Sequence, residues 1–227
     1  MWLAQGEWGL GERLSVTALI PYRDVSASGR ITFNDAGLGD IQVGALWRLG
    51  TEGKRFGGAV GGGLALPTGD DAQSGLTSEN VVFGAGDFSL LTSVEGFRRL
   101  APDWTLFGLA RYRRPLGAGE ANYRFGDDFG WVSSLRWQVR GGPVGAMATL
   151  SGQHLGRDDQ HGAAVDSRGG RLHHTGLGVA FPVGGGLSAS LLAQRLIERD
   201  VRGDQLLAEW QFTAGLNWTW GTHEHGE

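Results

Sequence analysis

Fifteen consecutive residues near the C-terminus, Leu206 to Trp220, alternate between apolar and mostly polar side chains. The even positions carry Leu, Ala, Trp, Phe, Ala, Leu, Trp and Trp, whereas Glu, Gln, Thr, Gly and Asn occupy most odd positions. Successive side chains of a β-strand point to opposite faces, so this segment predicts one apolar and one polar face. Strands of soluble proteins usually have about 5–6 residues, whereas a tilted strand that crosses a bilayer needs roughly 9–11.

The alternative to a membrane strand is a long edge strand of a soluble β-sandwich. Such a strand would have to cover the aromatic side chains of Trp210, Phe212, Trp218 and Trp220 on one face, and the sequence predicts no helix to cover them. A closed barrel leaves this face in lipid and pairs every backbone group. The segment therefore favours a lipid-facing strand of a barrel.

Composition supports this interpretation and excludes several other classes. No stretch approaches about 18 consecutive apolar residues, which argues against a transmembrane helix. A formal net charge of −4 without a basic run argues against a nucleic-acid partner, and the absence of Cys excludes disulfides and Cys-based metal sites. The mean hydropathy of −0.18 is compatible with a barrel, because a polar interior offsets an apolar exterior.

About eleven segments of alternating polarity recur along the 227 residues. The connections between them are alternately short and long. The segments predict one all-β domain over residues 1–227, an antiparallel up-and-down transmembrane β-barrel of the bacterial outer membrane. The phase of 104–114 is ambiguous, which suggests a β-bulge there. Long polar loops are expected at 26–37, 67–83, 116–126 and 156–170. The predicted strands are 2–8, 13–25, 39–49, 56–66, 86–98, 104–114, 127–139, 144–155, 172–182, 187–199 and 206–220.

The order of short and long connections leads to an expectation about strand number. Short turns of bacterial barrels lie in the periplasm and long loops lie outside. On that basis the last strand ends in the periplasm, whereas the first strand, 2–8, would begin outside. Because single-chain bacterial barrels have even strand numbers, we expect a further strand and a secretory signal upstream of Met1, giving about twelve strands in the complete protein.

Alternation also assigns side chains to the two faces. One wall of the lumen would be lined by small residues at 57, 59, 61, 63 and 65. The inward charges have both signs, so they could form a transverse field in a pore or could pair and plug a narrow barrel. The predicted lumen-lining residues are Arg23, Asp40, Arg48, Asp87, Glu95, Asp128, Arg136 and Glu209. The predicted lipid-facing residues are Ile41, Val43, Trp47, Phe129, Trp131, Trp210, Phe212 and Leu216.

Aromatic residues near the strand ends predict two girdles at the membrane interfaces, where amphipathic rings contact both lipid and water. Five tryptophans, at positions 47, 104, 137, 218 and 220, lie beside short turns or at the C-terminal end. Tyr22 and Tyr112 lie near long loops.

Other chemistry is less well supported. His154, His161, His173 and His174 surround one long loop, but His173 and His174 point to opposite faces of a regular strand, so we expect no metal. The glycine-rich segments lack the helix and the lysine of a phosphate loop. Ser151 and His154 would face opposite ways on one strand, which disfavours a hydrolase. We therefore expect no catalytic residues and no cofactor.

Four segments carry a family resemblance: GLGERLSVTALIPYRDV (9–25), GLGDIQVGALWRL (37–49), GGGLALPTGD (61–70) and GAGDFSLLTSVEGFRRL (84–100). Together they resemble the bacterial outer-membrane barrels of the meta-pathway phenol-degradation family, which are often called transporters. The resemblance implies a porin-like barrel, embedded in outer-membrane lipid, for the passive passage of small, aromatic or hydrophobic solutes, and it supplies no catalytic residues. The alternative is a non-transporting barrel that anchors or docks another envelope protein.

Overall fold

The structure is a computed structural model of the chain. It describes residues 2–27, 33–50, 55–69, 84–119, 122–139, 144–165, 169–202 and 208–219. Within these ranges, no helix is both long enough and apolar enough to cross a membrane.

Fifteen β-strands make up the regular structure of the described ranges. They are β1 Trp2–Gly9, β2 Leu14–Ala27, β3 Phe33–Leu38, β4 Gln42–Arg48, β5 Phe56–Ala65, β6 Ser89–Ala101, β7 Trp104–Pro115, β8 Tyr123–Arg124, β9 Asp128–Gln138, β10 Gly145–Leu155, β11 Asp159–Gln160, β12 Ala163–Ala164, β13 Gly170–Gly184, β14 Leu187–Val201 and β15 Trp210–Trp218.

Eleven of these strands form one continuous antiparallel sheet in the order β1-β2-β4-β5-β6-β7-β9-β10-β13-β14-β15. Every strand of this order pairs with its neighbours along the chain, which confirms the all-β, up-and-down antiparallel arrangement expected from the sequence. β3 pairs with the far half of β2, and β8, β11 and β12 form a separate small sheet. In the described ranges β1 and β15 end the sheet without pairing with each other, and the expected twelfth strand stays a prediction.

Two segments differ from the sequence-based expectation. Residues 26–37 were expected to be a loop, but β2 continues to Ala27 and β3 begins at Phe33, so the hairpin is taller than predicted. Strand pairing is a property of the backbone, so polar side chains do not by themselves prevent it. The last strand begins at Trp210 rather than at 206, and residues 203–207 and Trp220 lie outside the described ranges.

The bulge expected in 104–114 lies instead on the neighbouring strand. The register of the β6–β7 pair shifts between Arg99 and Ala101, beside the short turn, whereas β7 pairs regularly with β9. A second shift separates His173 from His174 in the β13–β14 pair. The extra residue of the β6–β7 shift is Leu100 of β6, so the ambiguous phase of 104–114 does not reflect a bulge in β7.

The sheet exposes its large apolar side chains, whereas a soluble β-protein buries them. Buried apolar side chains in the described ranges are confined to Ala59, Ala65, Ala85 and Leu172, whereas large apolar side chains are exposed along the strands. β4 shows the alternation clearly, since Val43 and Trp47 are exposed and Gln42 and Leu46 are half-buried on the other face. No shared apolar core of the kind that a sandwich requires is present in this part of the chain.

Exposed aromatic rings mark the end of the sheet that carries the short turns, here called the short-turn end. Trp104 and Trp137 pair directly in the β7–β9 register, and their rings stack with centroids 6.1 Å apart. Trp47 and Trp218 are exposed at the same end of β4 and β15. The opposite end, which carries the long connections, is called the long-loop end below, and Tyr22 is exposed near it. The exposed tryptophans agree with the girdle expected at the short-turn end. At the long-loop end Tyr22 is exposed but Tyr112 is half-buried, and a second girdle stays a prediction.

We expect a charge on the outward face to be costly in a depth-dependent way. Val94 lies exposed in the middle of β6, between Val60 of β5 and Ala110 of β7. Val94→Arg should lower the free energy of unfolding in phospholipid vesicles by about 2–4 kcal/mol, because a midplane arginine is poorly solvated by hydrocarbon. Val183→Arg, at the end of β13, is the matched control and should cost about 0–1 kcal/mol. Equal costs in urea titrations of the two variants would contradict a membrane-embedded face.

Candidate functional site

A cavity of about 410 Å³ lies on the inward face of the sheet and is lined by strands from β1 to β10. This volume lies within the range of small-molecule pockets. The inward positions follow from the register, because Glu7, Thr17 and Gly44 stand side by side on β1, β2 and β4. The same row continues through Gly63 of β5 and Leu91 of β6.

Small residues leave space along one wall of the cavity. The inward positions of β5 hold only glycine and alanine, and Gly63 and Gly61 face Gly44 and Leu46 of β4. An ideal Cβ at Gly63 would lie 2.8 Å from the Cα of Gly44, so a larger residue would force the two strands apart. Four leucines, Leu19, Leu46, Leu91 and Leu109, supply the apolar part of the lining.

Charged groups near the short-turn end form a cluster across neighbouring strands. The Arg48 guanidinium of β4 donates to the Glu7 carboxylate of β1, so these two charges are paired. Glu95 of β6 lies within electrostatic range of both and borders the cavity. One guanidinium therefore stands among two carboxylates on this wall.

The inward face of the C-terminal strands carries a neutral polar network. Ser151 of β10 and His174 of β13 are direct register partners. The Gln194 amide donates to the Ser151 Oγ over 3.3 Å, and the Gln211 amide nitrogen lies 3.3 Å from the His174 Nε2. These contacts join β10, β13, β14 and β15 side to side across the inner surface.

Asp40 connects several strands at the long-loop end. It lies in the break between β3 and β4 and is only 5% exposed. Its carboxylate accepts hydrogen bonds from the backbone N–H of Ala85 at 2.8 Å and of Gly69 at 3.3 Å, and from the Arg113 guanidinium at 3.0 Å. Arg113 also donates from Nε to the Ser89 Oγ at 3.1 Å. One buried carboxylate thus binds segments that follow β5 and precede β6, and a cation from β7.

Glycine is required around this carboxylate because the backbones approach closely. An ideal Cβ at Gly84 would lie 2.6 Å from the Asp40 Oδ1, and one at Gly69 would lie 2.6 Å from the Cα of Gly84. Thr68 adds a further bond, since its Oγ1 accepts from the Ile41 N–H at 2.9 Å. The segments GLGD, LPTG and GAGD, which are far apart in sequence, therefore meet at one point of the fold.

A second buried carboxylate organises the connections after β7 and β10. Asp158, also buried, accepts from the Tyr123 hydroxyl and from the Gly126 N–H at 2.8 Å. Tyr123 and Arg124 form β8, which pairs with Asp159–Gln160 of the small sheet. The long-loop end is thus held by hydrogen bonds to two aspartates rather than by an apolar core.

Comparison with known proteins identifies the family. Residues 1–214 match the family model described as "Putative MetA-pathway of phenol degradation". The chain belongs to this family. It is also similar to the crystal structure of the COG4313 outer membrane channel from Pseudomonas putida F1, with a TM-score of 0.73 and 15% sequence identity. The match covers 94% of this chain and 79% of that channel, and no curated protein matches the chain.

The structure places the predicted lumen residues of this family member in different settings. Glu95 and Asp128 line the cavity, and Gln153 donates to the Asp128 carboxylate at 3.0 Å. Arg48 is paired with Glu7, and Asp40 binds the long-loop backbone as described. Asp87 lies near the same end, and its buried Oδ2 has no hydrogen-bond partner in the described ranges.

The remaining members of that set lie away from the cavity. Arg136 faces inward and its guanidinium lies 5.3 Å from the centroid of the Phe107 ring. Glu209 precedes β15 and accepts from Arg195 at 3.2 Å, on the outward phase of β14. The side chain of Arg23 lies outside the described residues. An open lumen lined by this whole set stays a prediction.

The predicted lipid-facing residues are on the outer surface in varying degrees. Phe212 and Leu216 are the most exposed of the set, at 78% and 76%, and Val43, Trp47, Phe129 and Trp210 are also exposed. Trp131 is half-buried because its ring packs 6.1 Å from the His173 ring, above Gly152. Ile41 is half-buried in the break between β3 and β4.

Sequence reasoning missed several residues that line the cavity. Gln5 and Glu7 alternate with Trp2, Ala4 and Trp8, so the short first strand contained a usable signal. Arg111 and Arg113 of β7 were missed because Arg114 follows directly on the outward phase. Three closely spaced arginines hide the period of two that assigns faces.

The positions of the serine and histidine side chains also concern the hydrolase and metal-site hypotheses. Ser151 is inward and His154 outward on β10, as expected, and Ser151 is engaged by Gln194. His173 and His174 face opposite sides, and the His173 Nδ1 lies 3.2 Å from the Glu198 carboxylate outside the sheet. In the part of the chain that the structure describes, no three His, Asp or Glu residues are arranged to hold a metal ion.

The Asp40 contacts lead to a stability prediction. Asp40→Asn should lower the free energy of unfolding by about 2–3 kcal/mol, because it weakens charge-assisted hydrogen bonds and leaves Arg113 without its counter-charge. Asp87→Asn is the matched control at the same end, where no hydrogen bond to Oδ2 is lost. Urea titrations followed by tryptophan fluorescence compare the two. An equal or smaller loss for Asp40→Asn would refute the role assigned to Asp40.

Proposed function

We propose that this protein is an outer-membrane channel for the passive passage of small, aromatic or hydrophobic molecules. The observation that supports it best is the inverted arrangement of the sheet, with large apolar side chains outside and a polar cavity of about 410 Å³ inside. Such a sheet is stable where lipid covers its outer face. Membership of the phenol-degradation family and likeness to an outer membrane channel support the same proposal.

The solute class is inferred from the lining of the cavity. Leu46, Leu91 and Leu109 project into a space that otherwise holds amides, hydroxyls and charges. A mixed lining of this kind suits a small ring with one polar substituent better than an inorganic ion or a sugar, because part of the wall cannot hydrogen-bond. The family's description, which refers to phenol degradation, fits such solutes.

The proposal assigns no chemical step to the chain. Two inward polar side chains, Ser151 and His174, contact the amides of Gln194 and Gln211. None of these groups combines a nucleophile, a base and a third orienting group, as covalent catalysis requires. The protein's partners would then be outer-membrane lipid and the solute.

Narrowing the cavity should slow solute passage. Ser93 faces the cavity from β6, whereas the adjacent Val94 is exposed on the outward face and does not line the cavity. Ser93→Trp should reduce benzyl alcohol-driven swelling of proteoliposomes severalfold, since an indole occupies much of the narrow path. Val94→Trp is the matched control and should leave swelling unchanged.

The outcomes separate the proposal from its rival. No conductance and no solute uptake by the correctly inserted wild-type protein would refute transport and favour a docking barrel that anchors an envelope protein. Equal swelling rates for Ser93→Trp and the wild type would show that solute does not pass through this cavity.

A further inference from the structure

Arg111 is a cation that reaches the cavity without a counter-charge. It lies on the inward phase of β7, borders the cavity and is exposed to it. Among the residues that the structure describes, no carboxylate lies within 4.0 Å of its guanidinium, in contrast to Arg48, which binds Glu7, and Arg113, which binds Asp40. An arginine without a partner retains five donors for a ligand.

The neighbours of Arg111 leave its guanidinium accessible. Its register partners are Ser93 on β6 and Gly130 on β9, so a small side chain stands on one side and none on the other. The Nε of Arg111 lies 3.4 Å from the position that a Cβ at Gly130 would occupy, so the side chain extends across that glycine. The two register partners of Arg111 therefore place nothing larger than a hydroxyl group beside its side chain.

Apolar surface lies directly beside this cation. Leu109 is the next inward residue of β7, and Leu91 is paired with Arg113, one step along the inward row of β6. A ligand whose anionic group meets Arg111 would therefore place its adjoining carbon atoms against leucine. Glu95 and Asp128 border the same cavity and would repel a second negative charge.

We propose that Arg111 binds the carboxylate of a small aromatic monoacid during its passage through the lumen. The planar guanidinium matches a carboxylate in two parallel hydrogen bonds, and the leucines receive the ring. This inference rests on the proposed channel function and narrows it, because it names an anionic subset of aromatic solutes and the residue that selects them.

Ligand binding by the full chain in lipid nanodiscs tests the inference. Fluorine NMR titration with 4-fluorobenzoate should give an affinity that falls about tenfold in Arg111→Gln, since a charge-assisted hydrogen bond is lost. Arg114→Gln, which makes the same charge change on the outward face of β7, is the matched control and should bind like the wild type. Arg111→Lys should retain part of the affinity, and 4-fluorobenzyl alcohol should distinguish none of the variants.

Several results would overturn the inference. They are equal 4-fluorobenzoate affinity in the wild type and Arg111→Gln, an equal loss in Arg114→Gln, or an equal loss for the alcohol. If Arg111→Gln fails to insert, the 4-fluorobenzoate affinities of the wild type and Arg111→Lys are compared instead. A carboxylate site prefers the bidentate guanidinium, so equal affinities would overturn the inference.

Swelling measurements keep the two proposals distinct. A protein that admits benzyl alcohol but binds 4-fluorobenzoate without dependence on Arg111 refutes only the carboxylate site. A protein that binds 4-fluorobenzoate through Arg111 but admits no solute refutes the channel and leaves the site standing.

Discussion

The antiparallel backbone ladder is the constraint on which the rest of the structure depends. Because side chains alternate along each strand, a slip of one residue in any pair would exchange the inner and outer faces of that strand. The register from β9 through β10 to β13 proceeds without a shift, and it brings Ser134, Thr149 and Gly176 together on the inner face. The apolar exterior and the polar cavity are both consequences of this register.

Buried carboxylates hold the chain segments together at the long-loop end, as an apolar core does in a soluble protein. Asp40 accepts hydrogen bonds from two backbone N–H groups and a guanidinium. Asp158 accepts them from a backbone N–H and a tyrosine hydroxyl. A barrel interior offers little apolar area to bury, so charge-assisted hydrogen bonds are the stronger means of fixing its loops. The same contacts explain two of the glycines, since Gly84 leaves room for the Asp40 carboxylate and Gly69 leaves room for the backbone of Gly84.

The described arginines of the inner face fall into two classes, those that contact a carboxylate or an aromatic ring and those that do not. Arg48 and Arg113 are held by carboxylates and Arg136 by an aromatic ring, so they brace the wall. Arg111 has small neighbours instead and faces the cavity. Paired charges thus brace the wall, whereas the transverse-field and plugging interpretations of the inward charges both stay predictions.

The eleven strands of the main sheet, their order and most of their faces follow from the sequence alone, because alternation is a local property that each strand carries by itself. The short strands β3, β8, β11 and β12 lie in segments that the sequence predicts as loops. The small inward residues of β5 and the exposed aromatics of β15 could be read in this way. The partners of the charged residues could not, since Arg113 and Asp40 lie 73 positions apart and meet only through the pairing of β4, β5 and β6 with each other and with β7. The taller β2–β3 hairpin, the bulge at Arg99 and the inward phase of Arg111 were likewise decided by pairing between strands, which periodicity within one strand does not encode.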